Sequence, residues 1–287
     1  MDFGLLGPIV VRYSDAVLPI PYGKQRVILA VLLLRSGKII SAEDLMDLIW
    51  DGNPPPSARP ALHNYIKRLR QALGEGGRAR IKTTGPGYLI EIAPCELDLA
   101  RFDLMCTAGR EAAAGGKWEQ SAAQLSAALS LWRDRPLLDI QCQRLTTSEV
   151  PPLFERKAQA IEEHIDASLH LGRHRRVIPE LQQLISAEPL RERFSALLML
   201  ALYRAGRQAD ALAAYQATRR ALIDELGVEP GKEVREMQQK ILAADPRLDL
   251  PSEAAVPVGG TESRGGQRVV VDISTARRAS RPLTKIV

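Results

Sequence analysis

The chain has only three cysteines and four histidines in 287 residues, and neither set is arranged for chemistry. Cys95, Cys106 and Cys142 form no CxxC or CxxH pair, which argues against a disulfide framework and a zinc site. His63, His164, His170 and His174 form no triad, and His170 with His174, four apart on a helical face, supplies too few ligands for a metal. No GxxxxGK[ST] loop occurs, because the Gly-Lys pairs continue into Gln25, Ile39, Trp118 or Glu233. Long apolar runs are missing too. The longest, Val27 to Leu34, lies between Arg26 and Arg35 and is too short to span a bilayer, and nothing before it reads as a signal peptide. These absences lead us to expect no enzyme, no metal or other cofactor and no membrane partner, in a reducing cytoplasm.

What is present is an ordinary globular composition, 45% apolar and 25% charged, with enough length for two domains. The formal charge of +5 is unevenly placed. Residues 1–95 carry 12 basic and 8 acidic side chains, residues 96–245 carry 20 and 22, and residues 246–287 carry 7 and 4. Only the two ends therefore suit a polyanion.

Between Ser57 and Gly74 the helical period places Ala58, Leu62, Tyr65, Ile66, Leu69 and Leu73 on one stripe. Arg59, His63, Asn64, Lys67, Arg70 and Gln71 fall on the opposite side. Ser57 is a suitable N-cap, and Gly74 can take the left-handed conformation that stops a helix. From Arg59 to Lys82 there are seven basic residues and one acid, Glu75. Such a face is either solvated or offered to a polyanion, and its setting decides.

Ahead of it, Leu5 to Tyr13 and Val17 to Pro21 read as short strands. Gly23-Lys24-Gln25-Arg26 opens an apolar helix that Gly37 ends, and Ser41 caps a second helix, with Glu43 and Asp44 in its first turn, ending near Trp50. Behind it, Arg80 to Thr84 and Tyr88 to Ile92 flank Gly85-Pro86-Gly87, a hairpin signal. Strands, three helices and a basic hairpin within residues 1–95 are the layout of a winged helix-turn-helix, in which the third helix enters a major groove about 12 Å wide. On that docking Arg59, His63, Asn64 and Lys67 face base edges. Lys24, Arg26, Arg68, Arg70 and the hairpin's Arg80, Lys82, Thr83 and Thr84 face phosphates. Tyr65 and Trp50 read as core.

Residues 96–245 are helical throughout, and Gly172-Arg173-His174 recurs 34 residues later as Gly206-Arg207-Gln208, the period of tetratricopeptide repeats. Gly116-Lys117-Trp118 opens a similar helix. Residues 246–287, with Pro246, Pro251, Pro257, Gly259-Gly260 and Gly265-Gly266, read as a flexible basic tail. The fold class expected is thus mainly α with small β. Two readings remain open at this point: a DNA-binding regulator, or an interaction scaffold whose basic end only aids solubility.

The chain resembles the Streptomyces antibiotic regulatory protein family over residues 1–245. The resemblance is carried by Leu6-Gly7-Pro8, Gly23-Lys24-Gln25-Arg26, Ser57-Ala58-Arg59 through Asn64-Tyr65, Arg68-Leu69-Arg70 and Gly87-Tyr88-Leu89. Glu96-Leu97-Asp98, Pro189-Leu190-Arg191-Glu192, Leu200 to Ala209 and Glu225 to Gly231 complete it. Asp2 and Phe3 depart from the basic residue usual at the first strand, and Gln141 to Val150 lacks the family's usual look. The resemblance implies an OmpR-type winged helix followed by a tetratricopeptide-like bacterial transcriptional activation domain. It further implies activation of a secondary-metabolite cluster by binding direct repeats near the −35 region, as a head-to-tail dimer on double-stranded DNA, with RNA polymerase holoenzyme and its sigma factor as partner. A nucleoid-associated cytoplasmic protein is expected, and Asp51 and Asn53, between the second and third helices, would touch polymerase.

Overall fold

Strands of two to four residues open the chain because Gly-Pro and Ser-Asp interrupt its β-branched stretches. In the computed structural model, which describes residues 1–250 apart from residue 15, β1 (Asp2–Gly4), β2 (Val10–Tyr13) and β3 (Ala16–Val17) form an antiparallel sheet. Phe3 lies opposite Val11, and Arg12 opposite Val17. The expected strand from Leu5 to Tyr13 is broken: the amides of Leu5 and Leu6 donate to the buried carboxylate of Asp98 at 2.8–3.0 Å instead of to a ladder. The expected tail from residue 246 begins later than its composition suggests: Pro246–Leu248 form a 3-10 turn with Leu248 only 5% exposed, and the rest of the tail, beyond Leu250, lies outside the described residues.

Helices α1 (Lys24–Leu34), α2 (Ala42–Ile49) and α3 (Ala58–Ala72) follow. The apolar helix α1 is buried from Val27 to Leu33, and α2 and α3 both pack on it. Ser41 caps α2 as its sequence suggests, accepting from the Asp44 amide at 2.9 Å. A single short helix α4 (Gly74–Arg78), absent from the sequence reading, begins at the left-handed Gly74 (φ +65°). A second antiparallel sheet then forms in the order β4 (Ile40–Ser41), β6 (Gly87–Ile90), β5 (Ile81–Thr83). Gly87 is required there, since a Cβ would lie 1.9 Å from the Ile40 carbonyl oxygen.

Helices α5 (Asp98–Ala114), α6 (Trp118–Ser130), α7 (Gln143–His170), α8 (His174–Ala187), α9 (Glu192–Arg204), α10 (Gln208–Leu226) and α11 (Lys232–Leu242) fill the rest. The three Gly-basic motifs close the first helix of three hairpins in the same way. Gly116, Gly172 and Gly206 have φ of +70°, +71° and +76°, and the next residue's amide reaches back to Ala112, Ser168 and Leu202 at 2.9 Å in each case. This is the Schellman arrangement, in which only a left-handed residue lets the chain reverse into the next helix.

Two apolar cores result. The first runs from Phe3 to Ala160, without a break at residue 95, and the second from Ala158 to Leu248. Helix α7 contributes to both, and at 28 residues it is about 42 Å long.

Candidate nucleic-acid interface

Helix α3 is held by one side only. Ala58, Leu62, Ile66 and Leu69 are each at most 3% exposed, and Leu62, Ile66 and Leu69 pack with Leu73 into the first core. The other side shows Arg59, His63, Asn64, Lys67, Arg68 and Gln71 to solvent. Positions 59, 63 and 67 stand one turn apart along that surface. Ser57 occupies the N-cap position without a side-chain bond, because the chain already turns before it, the Ala58 amide donating to the Pro55 carbonyl at 2.8 Å. Trp50 and Tyr65 are half-buried against each other, ring centroids 6.2 Å apart.

Of the side chains expected on the groove, Arg59 alone has an acid beside it, Glu43 of α2 at 3.0 Å, with both members largely exposed. Lys67 and Arg68 form no ion pair among the described residues. The wing lies beside α3 because Arg70 stitches them together: Nε and Nη2 donate to the Ile81 carbonyl at 3.1 and 2.8 Å, and Nη2 to the Thr83 hydroxyl at 2.8 Å.

The remaining expected phosphate residues have partners inside the fold. Lys24 donates to the Ile49 carbonyl and lies over the Trp50 ring. Arg26 pairs with Asp139 and stacks on Tyr22 at 3.8 Å. Arg80 grips Glu96 with two bonds of 2.6 and 2.7 Å, which hold that carboxyl down at about 2, below its ordinary value of 4.5. At the wing tip Lys82 reaches Glu91 at 2.5 Å with both ends half exposed, and the Thr84 hydroxyl donates to the Gly87 carbonyl at 3.2 Å.

The loop between α2 and α3 carries Asp51 and Asn53, both exposed, with Asp51 in the left-handed region at φ +50°. Its base is covered by the start of α7. The Cys142 thiol donates to the Leu48 carbonyl at 3.2 Å, burial pushing its pKa up, and Arg144 pairs with Asp47 at 2.5 Å.

Three structural residues were not read from the sequence. Asp98 ties the first sheet to α5 and accepts from Arg133 at 3.3 Å as well. Glu96 anchors the wing's Arg80, and Glu43 covers Arg59. Their partners are 16 to 93 residues distant, so only the Glu-Leu-Asp motif at 96–98 hinted at two of them. Among the described residues no cluster of His, Cys, Asp and Glu is placed to hold a metal ion, and no helix is long and apolar enough to cross a membrane.

A winged helix with an open, basic third helix, mounted on helical hairpins, defines a class: the bacterial transcription regulators. Residues 22–90 match the family described as "Transcriptional regulatory protein, C terminal", and residues 97–242 match "Bacterial transcriptional activator domain". The regulatory protein DnrI of Streptomyces peucetius is 34% identical over 270 residues, covering 89% of this chain and 99% of DnrI. The regulatory protein AfsR of Streptomyces coelicolor is 40% identical over 268 residues, and there the match spans 93% of this chain but 27% of AfsR. A solved structure of Mycobacterium tuberculosis EmbR, in complex with a low-affinity phosphopeptide, superposes with a TM-score of 0.83 at 36% identity, over 85% of this chain and 65% of that one. The chain belongs to the Streptomyces antibiotic regulatory protein family of transcriptional activators.

Proposed function

We propose that this chain activates transcription by binding direct repeats near the −35 region of promoters, those of a secondary-metabolite cluster, and by recruiting RNA polymerase through its helical domain. The observation that supports this best is the open side of α3, six polar residues on a helix whose other side is anchored in the core. Arg59, His63, Asn64 and Lys67 read base edges; a bidentate Arg–guanine or Asn–adenine contact supplies about 1–3 kcal/mol of discrimination. Arg68 and the wing residues Lys82, Thr83 and Thr84 meet phosphates, giving register and salt dependence. Lys24, Arg26, Arg70 and Arg80, bonded within the fold, hold that platform in place.

Residues 1–95 read DNA and residues 96–245 carry the contact with polymerase, helped by Asp51 and Asn53 on the α2–α3 loop. Two protomers lie head to tail on the repeat, a heterologous contact completed on DNA. Footprinting on the promoters flanking the gene, followed by salt titration, tests the reading. Protection of paired direct repeats and a weakened Lys67→Ala variant are expected. Unchanged binding by that variant would overturn the assignment of α3.

A further inference from the structure

A polar concavity lies between α6, α7 and α8, sharing no residue with the winged helix. It encloses about 340 Å³, the small end of the roughly 300–1,000 Å³ range of ligand pockets. It is open because small residues face one another. Ala122, Ala123 and Ser126 line it from one side of α6, and Ser168 faces them from α7, where neighbouring turns carry the buried Leu125 and Leu169. Ala122, Ser168 and Val177 are buried and form its floor.

His164 forms a wall of this cleft. Its Nδ1 is closed off from solvent and has no hydrogen-bond partner among the described residues. Burial lowers the imidazole's pKa, so the ring is neutral near pH 7 and can exchange a hydrogen bond with an uncharged or charged group. One end of the rim is bridged by Arg173, which donates to both oxygens of Glu119 at 2.6 and 2.7 Å.

The rest of the rim holds two opposite charges, Arg176 and Glu180, one turn apart on α8. Neither forms an ion pair with the other or with any described residue. Opposite charges four apart on an exposed helix side attract only weakly, and less with the acid on the C-terminal side, so both poles stay free for a ligand. A plain anion would meet Glu119 and Glu180 and a plain cation would meet the two arginines, whereas a molecule carrying both charges satisfies both.

We propose that this cleft binds a small zwitterion of the α-amino-acid kind, its carboxylate on Arg176, its ammonium on Glu180, and its side chain over Ala122 and Val177 beside His164. Occupancy bears on α7, the helix whose first turn pairs with Asp47 of α2.

Titration calorimetry on the full chain with each of the twenty proteinogenic amino acids, and with acetate and methylammonium as single-charge probes, tests this. Saturable binding of at least one amino acid is expected, weakened about ten-fold or more by Arg176→Gln and by Glu180→Gln, and blocked by Ala123→Leu, which fills the space. Arg176, Glu180 and Ala123 are exposed, and circular dichroism checks that each variant folds. No binding by any amino acid at about 10 mM overturns the proposal, as does acetate binding as tightly as the best zwitterion, or indifference to both charge variants. Promoter binding is measured separately on α3, so either reading can fail without the other.

Discussion

Cations are plentiful both on α3 and in the helical repeats, but they are placed differently. In the repeats Arg191 is clasped by Glu155 at 2.8 Å and Glu162 at 2.5 Å, Arg173 by Glu119, Arg219 by Glu229 and Arg193 by Glu233. On α3 Lys67 and Arg68 face solvent with no acid within ion-pair distance among the described residues. These pairs neutralise part of the charge of residues 96–245 locally, although other cations there, Arg175, Arg176 and Arg220 among them, form no ion pair among the described residues. On the proposed reading, a DNA-facing surface is marked by unpaired cations gathered on one exposed helix side more than by the number of charges.

The contrast is broken most forcefully by removing a cation that serves the fold. Arg191 is 19% exposed and Glu162 16% exposed, so Arg191→Met strands a carboxylate that water reaches poorly. We expect a loss of about 2–3 kcal/mol in urea unfolding, with the salt dependence of promoter binding unchanged for the folded fraction. A loss below about 0.5 kcal/mol would place Arg191 with the ordinary surface pairs and weaken the comparison.

The converse experiment removes cations that the fold does not use. Lys67→Ala with Arg68→Ala should cost about ten- to one-hundred-fold in promoter affinity, and the loss of one phosphate contact at Arg68 should lower the salt slope by about 1. Stability should stay within about 0.5 kcal/mol of the parent. A variant that unfolds early would show that these side chains are structural after all.

A third test lies at the base of the wing. The Arg80 guanidinium lowers the Glu96 carboxyl from 4.5 to about 2, so the unfolded chain takes up this proton at a higher pH than the folded one. The pair's contribution is complete above about pH 4.5 and is lost as pH falls toward about 2. Acid titrations of the parent and Glu96→Gln should therefore diverge above pH 4.5 and converge below that window; parallel curves would remove the pair from the stability of the wing.

How far this contrast was legible depends on the range of each interaction. The α3 stripe, the Ser41 cap and the helix starts after Gly116, Gly172 and Gly206 were readable because each is decided within a turn or two of chain. Arg70 and Arg80 read as phosphate contacts, and their bonds within the fold were not legible because the sequence counts charges but does not show partners. Their partners, the Ile81 carbonyl and Glu96, are brought to them by the hairpin. Asp98 was less legible still, since its role is to replace ladder bonds at Leu5, 93 residues earlier. Helix α4 was hidden by its glycines, although Gly77 is packed so tightly that a Cβ would lie 2.6 Å from that of Leu73.

The smallest expected effect tests the one cation proposed to face bases that does have an acid beside it. Arg59 and Glu43 are 67% and 78% exposed, so their 3.0 Å pair is screened by water and contributes little to folding. Docking on DNA must nonetheless part them, because a guanidinium held by a carboxylate cannot present the same fork to guanine O6 and N7. Glu43→Ala should leave the unfolding midpoint nearly unchanged and raise promoter affinity by about two- to three-fold, most clearly at low salt, where Glu43 also repels phosphate. If affinity instead falls, Glu43 orients Arg59 toward its base, and the division between paired and open cations must be redrawn with this pair on the functional side.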